Sequence, residues 1–179
     1  MIETKRLILR PMTPEDTDDL LLVFSDPEVM ASFGGQLFDH AQMTRWVQCN
    51  LKHQETHGYG LFSVLLKDDA QLIGDCGLEH MDVAGSPEIE LGYDLRSDYW
   101  GRGLATEAAG AVRDFAWQHL PLRRLISLIR PANVASRRVA EKIGMAKESE
   151  IVRGESTYWI YALARDATPQ TFMNGSEQS

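Results

Sequence analysis

Between residues 88 and 143 the apolar pattern switches from a period of two to a helical period and back, twice over. Glu88 to Leu95 reads as a strand. Leu104, Ala105, Ala108, Ala109, Val112, Phe115 and Ala116 then recur at helical spacing up to His119. Arg124 to Arg130 reads as a buried strand carrying Leu125, Ile126, Leu128 and Ile129, and Asn133 to Lys142 as a short helix closed by Gly144. A strand–helix–strand–helix succession needs crossover connections, so a parallel strand pair is expected here.

The rest of the chain supplies strands and helices for the two faces of such a sheet. Alternation over 4–10, ended by Pro11, predicts an edge-like strand. Thr13-Pro14-Glu15-Asp16 has the capping residue, early proline and early acids of a helix start, and Leu20, Leu21, Val23 and Phe24 follow. Asp26-Pro27-Glu28 opens a second short piece that Gly34-Gly35 stops, and Asp39 caps a longer helix running to Gly58. Leu61 to Leu66 and Gln71 to Met81 read as strands joined at Asp68-Asp69, and the runs 147–153 and 157–164 as a hairpin. The order predicts a mixed α/β (α+β) fold with a mostly antiparallel central sheet of about seven strands and about four flanking helices. One domain is expected over 1–166, followed by a flexible polar tail over 167–179.

Composition narrows the function. The 179 residues hold 18 Lys+Arg against 26 Asp+Glu, a formal net charge of −8. A general nucleic-acid binder needs a basic face, so none is expected. Cys49 and Cys76 form no metal or disulfide pattern, and no metal site is expected. No apolar run reaches membrane-spanning length, and the opening Met1-Ile2-Glu3-Thr4-Lys5 lacks a signal-peptide core. The expected location is cytoplasmic.

The most informative segment is Tyr99-Trp100-Gly101-Arg102-Gly103-Leu104-Ala105-Thr106-Glu107-Ala108. Two glycines allow a tight turn, the helix that follows offers unpaired N–H groups at its positive end, and Arg102 adds a charged fork. Together they form an anion site suited to a pyrophosphate. No Gly-Lys-Ser/Thr follows, so it is not a P-loop. Thr106 stands where a dinucleotide fingerprint has its third glycine.

These residues, with Gly-Tyr-Asp-Leu at 92–95, resemble the acyl-CoA motif of the GNAT N-acetyltransferase superfamily, and most closely its RimJ/RimL-like branch. Thr4 to Arg10 resembles the branch's opening strand. Pro131 to Met145 resembles its second cofactor segment, with Met145 where an aromatic is usual. Tyr158 to Asp166 resembles its last strand. The resemblance implies acetyl-CoA as cosubstrate, and direct transfer in a ternary complex to a primary amine, either a protein N-terminus or a small molecule. It implies that Arg102, Gly103, Leu104, Ala105 and Thr106 hold the pyrophosphate, and that Tyr93 and Leu95 bond the pantetheine arm as an added strand would. It also implies that Asn133 touches the arm and that Arg137 or Lys142 meets the 3′-phosphate. A non-catalytic acyl-CoA-sensing module on the same scaffold is the alternative, and a homodimer is compatible with either.

Transfer to an amine needs a base, and the leaving thiolate benefits from an acid. Glu88 and Glu90 share one parity of their strand, where burial or mutual repulsion raises a carboxyl pKa. Glu90 is the expected base, with Asp75 and Glu79 on the neighbouring strand as substitutes. Ser136 and Tyr161 compete as the acid. The pair His53 and His57 reads as a solvated helix end, because the zinc-protease order His-Glu-x-x-His is not met. Cys76 reads as a core residue.

Overall fold

The computed structural model describes residues 1–165, so the expected tail lies outside the described residues. The elements are β1 (Ile2–Glu3), β2 (Leu7–Pro11), α1 (Thr17–Phe24), α2 (Pro27–Met30), α3 (His40–His57), β3 (Leu61–Leu66), β4 (Leu72–Val83), β5 (Ser86–Leu95), α4 (Leu104–His119), β6 (Arg124–Ile129), α5 (Val134–Lys142), β7 (Ala146–Arg153) and β8 (Ser156–Ala164). The sheet has eight strands in the order β1-β2-β3-β4-β5-β6-β8-β7. Every pairing is antiparallel except β5 with β6. The mixed, mostly antiparallel fold expected from the sequence is present.

One strand more than expected comes from the start of the chain. The run over 4–10 is broken because Thr4 and Leu7 bond each other: Thr4 N–H donates to the Leu7 carbonyl at 3.0 Å and Leu7 N–H to Thr4 Oγ1 at 2.9 Å. The edge therefore falls to the two-residue β1, and β2 lies inside the sheet.

Local chemistry fixes the helices. Asp39 caps α3 reciprocally with Gln42, and Gly58 ends it at φ 74°. Asn133 caps α5 through Ser136 N–H. On one sheet face Leu7, Leu9, Ile73, Leu78, Leu91 and Leu125 pack with Ala108, Ala109 and Val112 of α4 and Ala140 of α5. On the other, Leu61 and Leu72 pack with Leu20 and Val23 of α1 and Met43 and Val47 of α3. Burying such side chains stabilises by about 1.5–3 kcal/mol each.

The parallel pair makes the site. β5 and β6 share a single register pair, Glu90 with Ile126, and then splay. Side chains finish the hydrogen bonding that the missing ladder would have supplied. Leu128 N–H donates to Glu90 Oε1 at 2.9 Å, and Ser127 Oγ donates to the Leu91 carbonyl at 2.7 Å. Both partners are buried or nearly so, and left unpaired they would be costly.

Candidate active site

The splay opens into a cleft of about 660 Å³. One wall is Tyr93, Asp94 and Leu95 at the end of β5, and the opposite wall is the first turns of α5. The turn at Gly101–Gly103 and the start of α4 close one end, and Glu28, Val29, Ser32 and Phe33 the other. Three large apolar side chains rim it while remaining exposed to water: Phe33 (48%), Trp100 (44%) and Val134 (46%).

Gly103 is the N-cap of α4 at φ 76°, with no side chain to cap the helix. The first-turn amides of Leu104, Ala105 and Thr106 thus stay without a capping side chain, and these residues line the cleft. The turn is held from behind. Arg6 Nη1 donates to the Arg102 carbonyl at 2.9 Å, and Glu107 accepts from Arg6 N–H at 2.8 Å, Arg6 Nε at 2.7 Å and Thr4 Oγ1 at 2.6 Å. This brace was not anticipated, because its partners are far apart in sequence.

Alternation along β5 sets which main-chain groups face the gap. The Leu91 carbonyl points toward β6, so the main-chain groups of Tyr93 and Leu95 point the same way, beyond the last β6 pairing. Trp100 Nε1 donates to the Leu95 carbonyl at 2.8 Å, which leaves the Tyr93 groups and the Leu95 amide facing the cleft.

The sequence-derived acids separate. Glu88 is committed to Arg124 at 3.2 Å, which also grips Glu148 at 2.8 Å. Glu90 is deeply placed at the splay. Burial pushes its carboxyl up to about 7, against the Leu128 N–H, and Glu79 across the strand pair pushes it further up. Burial raises Glu79 as well. Asp75 lies wholly buried with neither oxygen partnered, and desolvation with Asp94 and Glu79 raises it well above the carboxylate range. Asp94 is pushed up to about 7 by burial, then by Glu90 and Glu79. The sequence reading passed over Asp94, although the parity that singles out Glu88 and Glu90 continues to it.

Ser136 lines the cleft. Its N–H donates to Asn133 Oδ1 at 3.0 Å, and its carbonyl accepts from the Tyr93 hydroxyl at 2.8 Å. Asn133 also lines the cleft, with both side-chain ends in use: it caps α5 and donates from Nδ2 to Ser32 Oγ at 2.9 Å, tying α5 to the segment that follows α2.

Three expectations need correcting. Tyr161 is not among the cleft-lining residues; it is buried under α5 and its hydroxyl donates to Glu141 at 3.1 Å. Arg137 turns away to stack on Trp159 at 4.7 Å and donate to the Pro131 carbonyl, whereas Arg138 and Lys142, one helical turn apart, line the cleft. Arg102 is not among the cleft-lining residues, and the fork expected of it is engaged elsewhere: its guanidinium donates to the Asp98 carbonyl at 3.0 Å and lies over the Tyr99 ring at 5.0 Å.

The other singled-out residues are structural. Cys76 is buried, which pushes its thiol up and keeps it protonated. His53 is no solvated helix end: Nδ1 donates to the Tyr59 carbonyl at 3.1 Å and Nε2 accepts from His80 N–H at 2.9 Å, which fixes the neutral tautomer. Beside them, Arg130 lies over the Tyr158 ring, donates to Ser156, and keeps a buried, unpartnered Nε.

Comparison with known proteins agrees with this geometry. The family model described as an acetyltransferase (GNAT) domain matches residues 6–146. The uncharacterized protein YkkB of Bacillus subtilis is 34% identical over 159 residues, covering 88% of this chain and 92% of its own. A GNAT-family acetyltransferase from Bacillus anthracis superposes with a TM-score of 0.77 at 27% identity, covering 91% of this chain and 97% of its own. RimL, the ribosomal L7/L12 alpha-N-protein acetyltransferase solved with coenzyme A, superposes at 0.76 with 19% identity, covering 92% and 97%. The last likeness is one of fold.

Proposed function

The chain belongs to the GNAT acetyltransferase family and is an acetyl-CoA-dependent acetyltransferase; from that premise we propose that it acetylates a primary amine by direct attack within a ternary complex. The observation that carries this is the unfinished β5–β6 pairing, whose free main-chain groups run into the uncapped N-terminus of α4. The site fits acetyl-CoA on three counts: amides for the diphosphate, a strand edge for the pantetheine amides, and an exposed apolar rim. Bound acetyl-CoA supplies an activated acetyl thioester.

The residues divide the work. Amides of Leu104, Ala105 and Thr106 hold the diphosphate, and of the two 3′-phosphate candidates the sequence offered Lys142 stays, with Arg138 in place of Arg137. Tyr93 and Leu95 align the arm. Glu90 takes the proton from the amine as nitrogen binds the acetyl carbon, and the carbon–sulfur bond breaks. Ser136, which lines the cleft, returns a proton to sulfur. A carboxyl titrating at about 7 suits this task, since it is half ionised at working pH. Position in the RimJ/RimL-like branch rests on the motifs, with support from the RimL fold likeness. A cytoplasmic setting is consistent with the described residues, among which no helix is long and apolar enough to cross a membrane.

The test is calorimetry with CoA, followed by an amine and N-terminal-peptide panel with acetyl-CoA and thiol detection. Micromolar CoA binding with stoichiometric thiol and acetamide is expected. CoA binding without transfer to any amine would favour the sensing module instead.

A further inference from the structure

The antiparallel register sets Asp75 of β4 directly opposite Asp94 of β5. Side chains paired in this way share a sheet face and start about 5 Å apart at Cβ, so the two carboxyls are within reach of each other. Asp75 is completely buried, and neither of its oxygens has a hydrogen-bond partner. Asp94 is part-buried and lines the cleft. One member of the pair is sealed inside the sheet and the other stands on the cleft wall.

Nothing around the pair neutralises it. Among the described residues no lysine, arginine or histidine forms an ion pair with Asp75 or Asp94. On β3, Ser63 stands opposite Asp75 but donates its hydroxyl to Asp16 at 2.7 Å, and Asp16 in turn holds Arg10. The same sheet face meets Leu20 and Val23 of α1, which offer no polar atom. The next acids on that face, Glu79 and Glu90, add only negative charge. At the cleft, α2 brings Glu28, a further acid, and α5 brings Arg138 and Lys142, neither of which pairs with Asp94. A buried carboxylate without a partner is costly, and two side by side cannot both stay ionised. Burial and the neighbouring acids hold both carboxyls up, Asp94 at about 7.

Resting on the acetyltransferase reading, we propose that Asp75 and Asp94 hold a single proton between them and that Asp94 presents it, as an O–H donor, to an oxygen of the pantetheine arm. Asp94 lies between Tyr93 and Leu95, whose main-chain groups face the gap. A neutral carboxyl there adds a donor without setting a negative charge beside a cofactor that carries anionic phosphates. The proton is not transferred. It stays on Asp94, because losing it would leave two charges in the sheet. Cofactor binding and pH are thereby coupled: the protonated pair binds better, so binding draws in a proton where the free pair has begun to lose it.

The test is calorimetry of acetyl-CoA with the full chain, without acceptor, in buffers of differing ionisation heat. At about pH 8 binding should take up a proton, and Kd should rise about tenfold from about pH 6.5 to about pH 8.5. The 3′-phosphate of the ligand is common to every variant, so differences between variants report the protein. Asp94→Asn keeps a donor that does not ionise. Its Kd at about pH 6.5 should stay within about threefold of the parent's, and the alkaline rise should vanish. Asp75→Asn gives Asp94 a neutral neighbour with N–H groups to offer, so the rise should begin about one pH unit lower. The parent's own proton uptake depends on no variant. A parent that takes up no proton, a Kd flat across this range, or the same rise in Asp94→Asn each overturns the shared proton and leaves acetyl transfer standing. Absence of acetyl-CoA binding at every pH overturns the two readings together.

Discussion

Glu90 serves the fold with the same carboxylate that we propose as the base. It accepts the Leu128 amide where β6 leaves β5. Glu90→Gln separates the roles, because a carboxamide oxygen still accepts that N–H but takes up no proton. The variant should melt within a few degrees of the parent and lose about 10²–10⁴-fold in kcat. In the parent, kcat/KM should rise with pH through about 7 as Glu90 ionises, and Glu90→Gln should abolish that limb. Parity alone brought out Glu88 and Glu90 as equals. What separates them is Arg124, whose approach to Glu88 depends on β6 and β7 meeting it in space. Arg137 and Tyr161 failed for a related reason: a motif names a helix or a strand, whereas the direction of one side chain depends on what packs against it.

At the level of elements, the turn into α4 was legible because glycine has a local signature. Gly103 sits at φ 76°, where a Cβ is strained, so Gly103→Ala should cost about 1–2 kcal/mol in a melt and weaken CoA binding. The brace behind it was illegible, since Thr4 and Arg6 reach Glu107 from the far end of the chain. Arg6→Ala should lower CoA affinity by freeing the Arg102 carbonyl. Its stability cost should be about 1 kcal/mol or less, because that guanidinium is nearly half exposed. Affinity lost without much stability lost is the signature of a residue that positions the turn.

Across the whole molecule, two sets of titrating groups pull stability in opposite directions. Burial, and the neighbouring His57, hold His53 and His80 below the ordinary histidine value. Their contribution is present above about pH 6.5 and is lost as pH falls through the folded values. Asp75, Asp94, Glu79 and Glu90 are raised, so their contribution is present in acid and is lost as pH rises toward and past about 7. Melting temperature without ligand should therefore peak on the mildly acidic side, and Asp75→Asn should flatten the alkaline fall. The element order was readable from periodicity, since it needs only local patterns. The splay was not, because it is the failure of two strands to stay paired after one register contact. On the proposed binding mode the arm of coenzyme A completes the sheet, and a ligand held at 100 times its dissociation constant adds about 2.7 kcal/mol to stability, so loss of acetyl-CoA and CoA together should shorten the protein's life as well as stop its turnover.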